Sequence, residues 1–286
     1  MIFHSQNFIK NKVVVNELIS HVNFTATDLV LEIGPGKGVI TDFLIKKSKK
    51  VLAIEADPRL FSDLRKKYAS ATNLLLVHAD FVKYPLPKKP FIVVSNIPFN
   101  ITANIIRKVT DEKSELNTAY FILQKEAAIK FLGAPYAHSP LLSHILNINF
   151  EINHLMDIAR LNYVPKPRFD TTFISIRKRK KPVFEGQGAE QFRDFLVYIF
   201  ERRKPNIKGA LKSVLSNLQT KIILDNLNIS AGTETKKIIF TDWVKIFETF
   251  AQHAPDKSKK MIGGSYKRLL AEQSQLKKVH RTRNDS

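Results

Sequence analysis

Short runs of apolar residues alternate with amphipathic helical patterns up to residue 176 of the chain. Each run is long enough for a buried strand and too short for a helix, and most are followed by glycine, proline or acidic residues. The stretches between them carry apolar residues on one face, as in helices that pack on a sheet. The predicted strands cover residues 29–33, 51–54, 74–78, 91–94, 118–123 and 172–177. This alternation predicts an α/β fold with a mostly parallel sheet.

Beyond Ile176 the pattern changes to a basic run and then to three amphipathic helices with lysine and arginine on their outer faces. The run of five charges at 177–181 ends at Pro182, and we place the domain boundary there. The predicted organisation is an α/β domain at 1–178, a smaller all-helical domain at 183–255 and a flexible basic tail at 256–286. A short helix at 266–276 is the alternative for part of this tail.

Composition narrows the classes of function. The 286 residues include no cysteine, which excludes disulfides, thiolate metal sites and cysteine nucleophiles and favours a reducing cytoplasm. The formal net charge of +20 favours a polyanionic partner such as nucleic acid. The N-terminal residues do not resemble a signal peptide, and no apolar run is long enough to span a bilayer. We therefore expect a cytoplasmic protein that binds nucleic acid and has no membrane-spanning segment.

The turn after the strand at 91–94 carries the groups that a flipped-out nucleobase requires. Asn96 supplies a short amide, and Ile97 supplies a backbone carbonyl. Pro98 prevents the turn from relaxing into a helix, and Phe99 adds a ring for stacking. Hydrogen-bond acceptors beside an aromatic ring are typical of enzymes that act on an extruded base.

A second candidate site follows the first predicted strand as Gly34-Pro35-Gly36-Lys37-Gly38. Glycines here allow a tight turn and a close approach of the backbone to a ligand, and the alternative is a tight turn without a ligand. The spacing differs from the dinucleotide and P-loop fingerprints. Glu55 follows the second strand, where a carboxylate can accept both hydroxyls of a ribose, and Asp80 follows the third, where it can accept from an adenine amine.

Together with four short motifs, these residues resemble the Erm family of rRNA adenine N-6 methyltransferases, within the rRNA adenine dimethylase superfamily. The motifs are Ser5-Gln6-Asn7-Phe8, Asn96-Ile97-Pro98-Phe99, Gln124-Lys125-Glu126 and Pro165-Lys166-Pro167. The small-subunit KsgA branch more usually reads Gly-Gln-Asn-Phe and Asn-Leu-Pro-Tyr. The residues of these motifs in this chain are therefore closer to those of the Erm branch, whose members act on large-subunit rRNA.

The resemblance implies a Rossmann-like class I methyltransferase domain that uses S-adenosylmethionine and no metal. It implies that the enzyme methylates the exocyclic amine of one adenosine in large-subunit rRNA and confers macrolide, lincosamide and streptogramin B resistance. The implied catalytic residues are Asn96, Ile97, Pro98 and Phe99. The implied cofactor-binding residues are Asn7, Ile9, Gly34, Gly36, Glu55, Asp80 and Asn96.

Two aromatic positions are expected to stack on the target base, Phe99 on one face and Tyr163 on the other. Phe99 stands where tyrosine is frequent in the superfamily, and Tyr163 stands where phenylalanine often precedes Pro-x-Pro. The change at Phe99 leaves stacking possible and excludes a role for a hydroxyl there. The substrate is expected to be rRNA free of most ribosomal proteins, bound by a monomer.

Two other functions remain open at this stage. One is a small-subunit rRNA dimethylase of the KsgA type, which shares the fold and the chemistry. The other is a non-catalytic nucleic-acid-binding relative that keeps the fold as a scaffold. The glycine turn, Glu55, Asp80 and the Asn96 turn are all present, which argues for retained chemistry.

Overall fold

The structure is a computed structural model that describes residues 8–24, 29–133 and 141–282. Its contacts divide the chain into two compact units. The sheet unit comprises the described residues of Met1–Ile129 and Phe150–Lys180, and the helical unit comprises those of Lys130–Asn149 and Lys181–Ser286. Each unit has its own hydrophobic core.

The described residues form nine strands. They are β1 (Phe8–Ile9), β2 (Leu29–Ile33), β3 (Lys50–Glu55), β4 (Leu74–His78), β5 (Phe91–Asn96), β6 (Leu116–Gln124), β7 (Phe150–Ile158), β8 (Tyr163–Val164) and β9 (Thr171–Lys178). Seven of them form one sheet in the order β4-β3-β2-β5-β6-β9-β7, and β1 pairs with β8. The first five strands in this order are parallel to one another, whereas β9 is antiparallel to both β6 and β7.

Twelve α-helices connect or follow these strands in the described part of the chain. They are α1 (Lys12–Ser20), α2 (Thr41–Lys47), α3 (Pro58–Lys67), α4 (Thr102–Val109), α5 (Lys125–Leu132), α6 (Leu141–Asn147), α7 (Gly186–Glu201), α8 (Ile207–Leu211), α9 (Asn217–Asn226), α10 (Phe240–His253), α11 (Asp256–Ile262) and α12 (Ser265–Thr282). Short 3-10 turns lie at Phe99–Ile101, Arg160–Asn162 and Thr235–Lys237. None of the helices within these ranges is long and apolar enough to cross a bilayer.

The large sheet confirms the predicted α/β class, and its strand order sets the position of the site. The central strands β2, β3 and β5 are almost wholly buried, which explains why the sequence shows continuous apolar runs there rather than alternation. Strand order reverses between β2 and β5, since β3 and β4 lie on one side of β2 and the later strands on the other. In open parallel sheets, ligands bind beyond the carboxyl ends of the strands at such a reversal.

The helical unit departs from the predicted boundaries at residues 130–149, which the sequence pattern assigned to the first domain. The structure groups this segment with the helices after residue 180 because its apolar face packs there. Ile148 is fully buried in the core formed by α7, α8, α9 and α10, and its carbonyl accepts a hydrogen bond from Val183 N at 2.9 Å. The basic run at 177–181 does lie at the boundary between the two units.

The segment predicted as a flexible tail also differs from the expectation, because 256–262 and 265–282 are helical. The start of α12 is held by Asp194 of α7, whose carboxylate accepts from Gly264 N and Tyr266 N, both at 2.8 Å. A carboxylate at a helix N-terminus satisfies backbone N–H groups that lack partners within the helix. Polar composition alone does not reveal this capping contact.

Helix α6 places His144 among aromatic side chains of the helical unit. The His144 ring centre lies 5.8 Å from that of Phe200, 6.2 Å from Phe240 and 6.3 Å from Trp243. Within the described ranges, neither ring nitrogen of His144 has a hydrogen-bond partner. Burial lowers the pKa of His144 to about 3. The neutral ring is therefore the form that the folded unit accommodates.

Acidification is expected to destabilise the helical unit through His144. An unfolded histidine has a pKa of about 6.5, so the unfolded chain binds a proton that the folded chain excludes. Stability should fall as the pH decreases from about 6.5 toward about 3, by at most about 1.4 kcal/mol per pH unit. Thermal unfolding across this range should show a weaker pH dependence in His144→Leu than in the wild type. His253→Leu, at an exposed position, is the matched control and should keep the pH dependence of the wild type. If His144→Leu also kept the wild-type pH dependence, His144 would not be the group responsible for the loss of stability.

Candidate active site

The carboxyl ends of five adjacent parallel strands meet at one cavity of about 410 Å³. Each strand contributes a lining residue at or just beyond its end. These residues are Gly34 after β2, Glu55 of β3, Asp80 after β4, Asn96 of β5 and Gln124 of β6. The volume lies within the range of about 300–1,000 Å³ that is typical of small-molecule sites.

The glycine turn after β2 shapes one wall of this cavity. Gly34 and Gly36 have φ angles of +65° and +60°, a backbone conformation that other residues rarely adopt. A Cβ atom added to Gly36 would lie 2.5 Å from Cε1 of Phe8, which also lines the cavity. Gly34 lies close to the turn after β5, since its added Cβ would be 4.0 Å from Cδ of Pro98. The glycine turn therefore lies near the turn after β5, and the missing side chain of Gly36 leaves room for the Phe8 ring.

Glu55 is fixed by backbone amides on either side of it. Its Oε2 accepts from Gly36 N at 3.0 Å, and its Oε1 accepts from Asp57 N at 2.9 Å. The residue is only 2% exposed and still lines the cavity. Each carboxylate oxygen can accept more than one hydrogen bond, so Glu55 retains capacity for a donor such as a ribose hydroxyl.

Asp80 begins a short turn that closes the far side of the cavity. Its Oδ1 accepts from Val82 N at 2.8 Å, and its backbone carbonyl accepts from Lys83 N and Tyr84 N, both at 3.0 Å. Asp80 is exposed, whereas the neighbouring Phe81 is buried, and both line the cavity. The carboxylate is therefore accessible to a ligand and lies beside an aromatic ring.

The turn at Asn96–Phe99 is held rigidly at the end of β5. Ser95 Oγ donates to the Ile33 carbonyl at 2.5 Å, and Ile97 N donates to the Ile122 carbonyl at 3.3 Å. Ile97 is buried, whereas the side chains of Asn96 and Phe99 are partly exposed. All four residues from Asn96 to Phe99 line the cavity. The turn therefore presents an amide and a ring next to the carboxylates.

A family model described as ribosomal RNA adenine dimethylase matches residues 2–252. The chain belongs to the ribosomal RNA adenine dimethylase family. The match spans most of the sheet unit and much of the helical unit, so it is not limited to the nucleotide-binding core.

Individual relatives support this assignment and carry two kinds of name. An rRNA adenine N-6-methyltransferase of Bacillus licheniformis is 30% identical over 254 residues, covering 88% of this chain and 87% of the relative. A ribosomal RNA small subunit methyltransferase A of Fusobacterium nucleatum is 32% identical over 254 residues, covering 86% and 96%. The crystal structure of the 23S rRNA methyltransferase ErmE superposes with a TM-score of 0.80 at 26% identity, covering 86% of this chain and 100% of ErmE.

These comparisons confirm three predictions from the sequence. The fold is the Rossmann-like methyltransferase fold with a helical region after it. The enzyme class is rRNA adenine methyltransferase, and the superfamily is the one that the motifs resemble.

Most of the predicted site residues in this family member surround the cavity. Ile9, Gly34, Gly36, Glu55, Asp80, Asn96, Ile97, Pro98 and Phe99 all line it. Ile9 reaches it because β1 pairs with β8, which is a contact between segments distant in sequence. Asn7 lies outside the described residues. No group of three metal-ligating side chains occurs at 8–24, 29–133 or 141–282.

Tyr163 does not line the cavity, contrary to the expectation that it stacks on the target base. Its side chain is 2% exposed and belongs to the core of the sheet unit. Its hydroxyl forms a hydrogen bond of 2.6 Å with Thr171 Oγ1. The pairing of Ile9 with Tyr163 in the β1–β8 ladder accompanies this burial, and neither face of the ring is accessible to a base in this structure.

Glu32, which is not among the predicted site residues, lines the cavity from within β2. Thr41 Oγ1 donates to its Oε2 at 2.7 Å. Burial, reinforced by the nearby Glu55, raises the pKa of Glu32 to about 8, while the Thr41 hydrogen bond opposes this shift. An acidic residue within an otherwise apolar strand, directly before the glycine turn, is the signal that could have identified it.

Proposed function

We propose that this protein transfers methyl groups from S-adenosylmethionine to N6 of one adenosine in large-subunit rRNA. The observation that carries the proposal is that Glu55, Asp80 and the Asn96–Phe99 turn line the same cavity. Two carboxylates suited to a nucleoside thus lie beside a turn suited to a second, extruded base. The product is adenosine with one or two methyl groups on N6, and the expected consequence is resistance to macrolides, lincosamides and streptogramin B.

The charges of the cavity fit this cofactor better than a phosphate-bearing one. Among the described residues, the ionisable side chains that line it are the carboxyl groups of Glu32, Glu55, Asp57 and Asp80 and the ammonium group of Lys37. Because the raised pKa of Glu32 keeps that group protonated at neutral pH, the repulsion of a pyrophosphate comes from Glu55, Asp57 and Asp80. The same carboxylates offer acceptors to ribose hydroxyls, an adenine amine and a cationic centre. We assign Glu55 to the ribose, Asp80 to the adenine amine, and the glycine turn with Ile9 and Asn7 to the rest of the cofactor. When bound, the cofactor supplies an electrophilic methyl group.

Asn96 and Ile97 are assigned to the amine of the target adenosine. Adenine N6 is a weak nucleophile because its lone pair is delocalised into the ring. The Asn96 amide oxygen and the Ile97 carbonyl accept its two N–H groups, which favours a lone pair directed at the methyl group. The rigid backbone at Pro98 keeps both acceptors in place, so that catalysis depends mainly on positioning.

Phe99 is assigned to stacking on the target base, and its replacement tests this role. Base–aromatic stacking contributes about 1–3 kcal/mol, so Phe99→Ala should lower kcat/KM for RNA by about 10- to 100-fold. Phe99→Tyr should remain near the wild type because it keeps the ring. Steady-state kinetics with an rRNA fragment measure both variants. Equal losses in the two variants would contradict stacking as the function of this ring.

The large-subunit substrate is supported by the Asn-Ile-Pro-Phe motif at 96–99 and by the similarity to ErmE. A small-subunit substrate is the second candidate, because the Fusobacterium nucleatum relative that carries that name is 32% identical. The net charge of +20 supports a polyanionic substrate in either case. We further propose that the enzyme acts as a cytoplasmic monomer on rRNA free of most ribosomal proteins, with basic faces of the helical unit contacting the backbone.

Expression in a bacterium sensitive to macrolides and lincosamides tests the large-subunit proposal in cells. Cells that produce the wild-type protein should grow at drug concentrations that stop the parent strain. Cells that produce Asn96→Ala at the same level should not. Unchanged sensitivity to both drug classes, with soluble wild-type protein present, would argue for the small-subunit substrate.

A further inference from the structure

Three backbone carbonyls of the Asp80 turn point at a single ammonium group. Lys108, in the last turn of α4, donates to the carbonyl of Phe81 at 2.7 Å and to that of Val82 at 2.9 Å. It also donates to the carbonyl of Tyr84. A lysine ammonium has three N–H donors, and all of them are directed at one short stretch of chain.

Asp80 and Lys108 together satisfy both kinds of backbone group in this turn. Asp80 accepts from the N–H groups of Val82, Lys83 and Tyr84 through its side chain and its carbonyl. Lys108 supplies the donors for the carbonyls. Its ammonium also lies 4.9 Å from the centre of the buried Phe81 ring, where a cation is attracted by the ring face.

Lys108 does not line the cavity, whereas Asp80 and Phe81 do. Its effect on a ligand must therefore pass through the turn. Burial lowers the pKa of Lys108, and the nearby Asp80 carboxylate acts in the opposite direction. The charge on Asp80 thus favours the ammonium form that has all three donors.

The helix that carries Lys108 begins beside the Asn96–Phe99 turn. Helix α4 starts at Thr102, and the Thr102 hydroxyl donates to the Pro98 carbonyl at 3.3 Å. One short helix is therefore bonded at its first residue to the turn at Asn96–Phe99 and near its last residue to the turn at Asp80. Helix α4 therefore contacts both turns that line the cavity.

We propose that Lys108 is a positioning residue that holds the Asp80–Tyr84 turn in the conformation that receives the adenine of the cofactor. This inference rests on the proposed function, which assigns Asp80 to that adenine. On this proposal the last turn of α4 supports the residues that bind the cofactor, although α4 directly follows the Asn96–Phe99 turn, which is assigned to the target base. Lys108 contacts neither substrate nor cofactor, so it affects affinity and not the chemical step.

Lys108→Met tests the proposal because it keeps an unbranched chain and removes every donor. Titration calorimetry with S-adenosylhomocysteine should show a Kd about 10- to 100-fold higher than in the wild type, as expected for lost hydrogen bonds from a charged donor. KM for S-adenosylmethionine should rise similarly, while KM for RNA stays unchanged. Lys108→Arg should restore part of the affinity because it keeps the charge and several donors. Arg107→Met, at an exposed position of the same helix, is the matched control and should bind like the wild type.

Hydrogen exchange supplies a readout that needs neither ligand nor activity. The amides of Val82, Lys83 and Tyr84 should exchange faster in Lys108→Met than in Arg107→Met. Wild-type affinity or unchanged exchange in a folded Lys108→Met would overturn the proposal. If Lys108→Met fails to fold, Lys108→Gln decides, because it removes the charge and keeps at most two donors: an increased Kd with unchanged kcat supports positioning, and a wild-type Kd contradicts it. If the wild-type protein does not bind S-adenosylhomocysteine, the proposed function fails, and the exchange rates still test Lys108.

Discussion

Asn96→Ala is expected to lower the rate of methyl transfer by about 100- to 1,000-fold, the usual effect of removing one hydrogen-bonding group that acts in the transition state. Asn96 lies at the end of β5, and its partly exposed side chain faces the cavity. The strand end itself is fixed by the hydrogen bond from Ser95 Oγ to the Ile33 carbonyl at 2.5 Å. That bond does not involve the Asn96 side chain, so the variant keeps this anchor of the strand end.

Single-turnover assays with an rRNA fragment measure this rate, and thermal unfolding checks the fold. The exposed Asn104, which also lies beyond the turn but is not a cavity residue, gives the matched control. Asn104→Ala should react like the wild type. Turnover by Asn96→Ala within a few-fold of the Asn104→Ala rate would remove the amide from the mechanism.

Gly36→Ala is expected to raise the Kd for S-adenosylhomocysteine by at least about tenfold, which corresponds to about 1.4 kcal/mol. The φ angle of +60° alone costs a residue with a Cβ about 1–2 kcal/mol. The new methyl group would also lie 2.5 Å from Cε1 of Phe8. Relief of this overlap must move Phe8 or the Gly36 amide, which donates to Glu55 Oε2 at 3.0 Å. Either movement changes the wall of the cavity.

Calorimetry on the folded variant measures the affinity, with Gly232→Ala as the control. Gly232 has no atom within 4 Å of an added Cβ, and its φ lies outside the left-handed region. That variant should therefore bind like the wild type. Equal affinities of the two alanine variants would mean that the glycine turn does not contact the cofactor.

The strand ends of the site could be predicted from the sequence for a physical reason. In a parallel sheet the strands are buried on both faces, so each appears as an apolar run with a polar residue where it reaches solvent. Glu55 and Asp80 mark such ends, and Asn96 marks the end before a proline. Since the carboxyl ends share one edge, the convergence of these residues followed from the order of the elements.

Contacts between distant segments could not be predicted in this way. Tyr163 is buried, and its partner in the β1–β8 ladder, Ile9, is far away in sequence. The pattern around Tyr163 is equally compatible with an exposed ring. His144 and Ile148 belong to the helical unit because their side chains match its aromatic core, although they precede the last strand of the sheet. Local periodicity contains no information about such partners.

The contacts of Lys108 could not be predicted from the sequence either. A lysine in the last turn of a helix is ordinarily explained by the helix dipole and by solvent exposure. Only the three-dimensional arrangement shows that its ammonium meets the Phe81 and Val82 carbonyls at 2.7 and 2.9 Å. Glu32 is similar, because its position in β2 is visible in sequence but its orientation toward the cavity is not.

The most direct test of the proposed function is methylation of purified rRNA in vitro. Protein-free 23S and 16S rRNA are each incubated with the enzyme and methyl-labelled S-adenosylmethionine, and the modified nucleoside is identified and mapped. The proposal predicts N6-methylated adenosine, with one or two methyl groups, at one position of 23S rRNA and no label in 16S rRNA. Asn96→Ala should label 23S rRNA at a rate about 100- to 1,000-fold lower. Label confined to 16S rRNA, or label at an atom other than adenine N6, would contradict it.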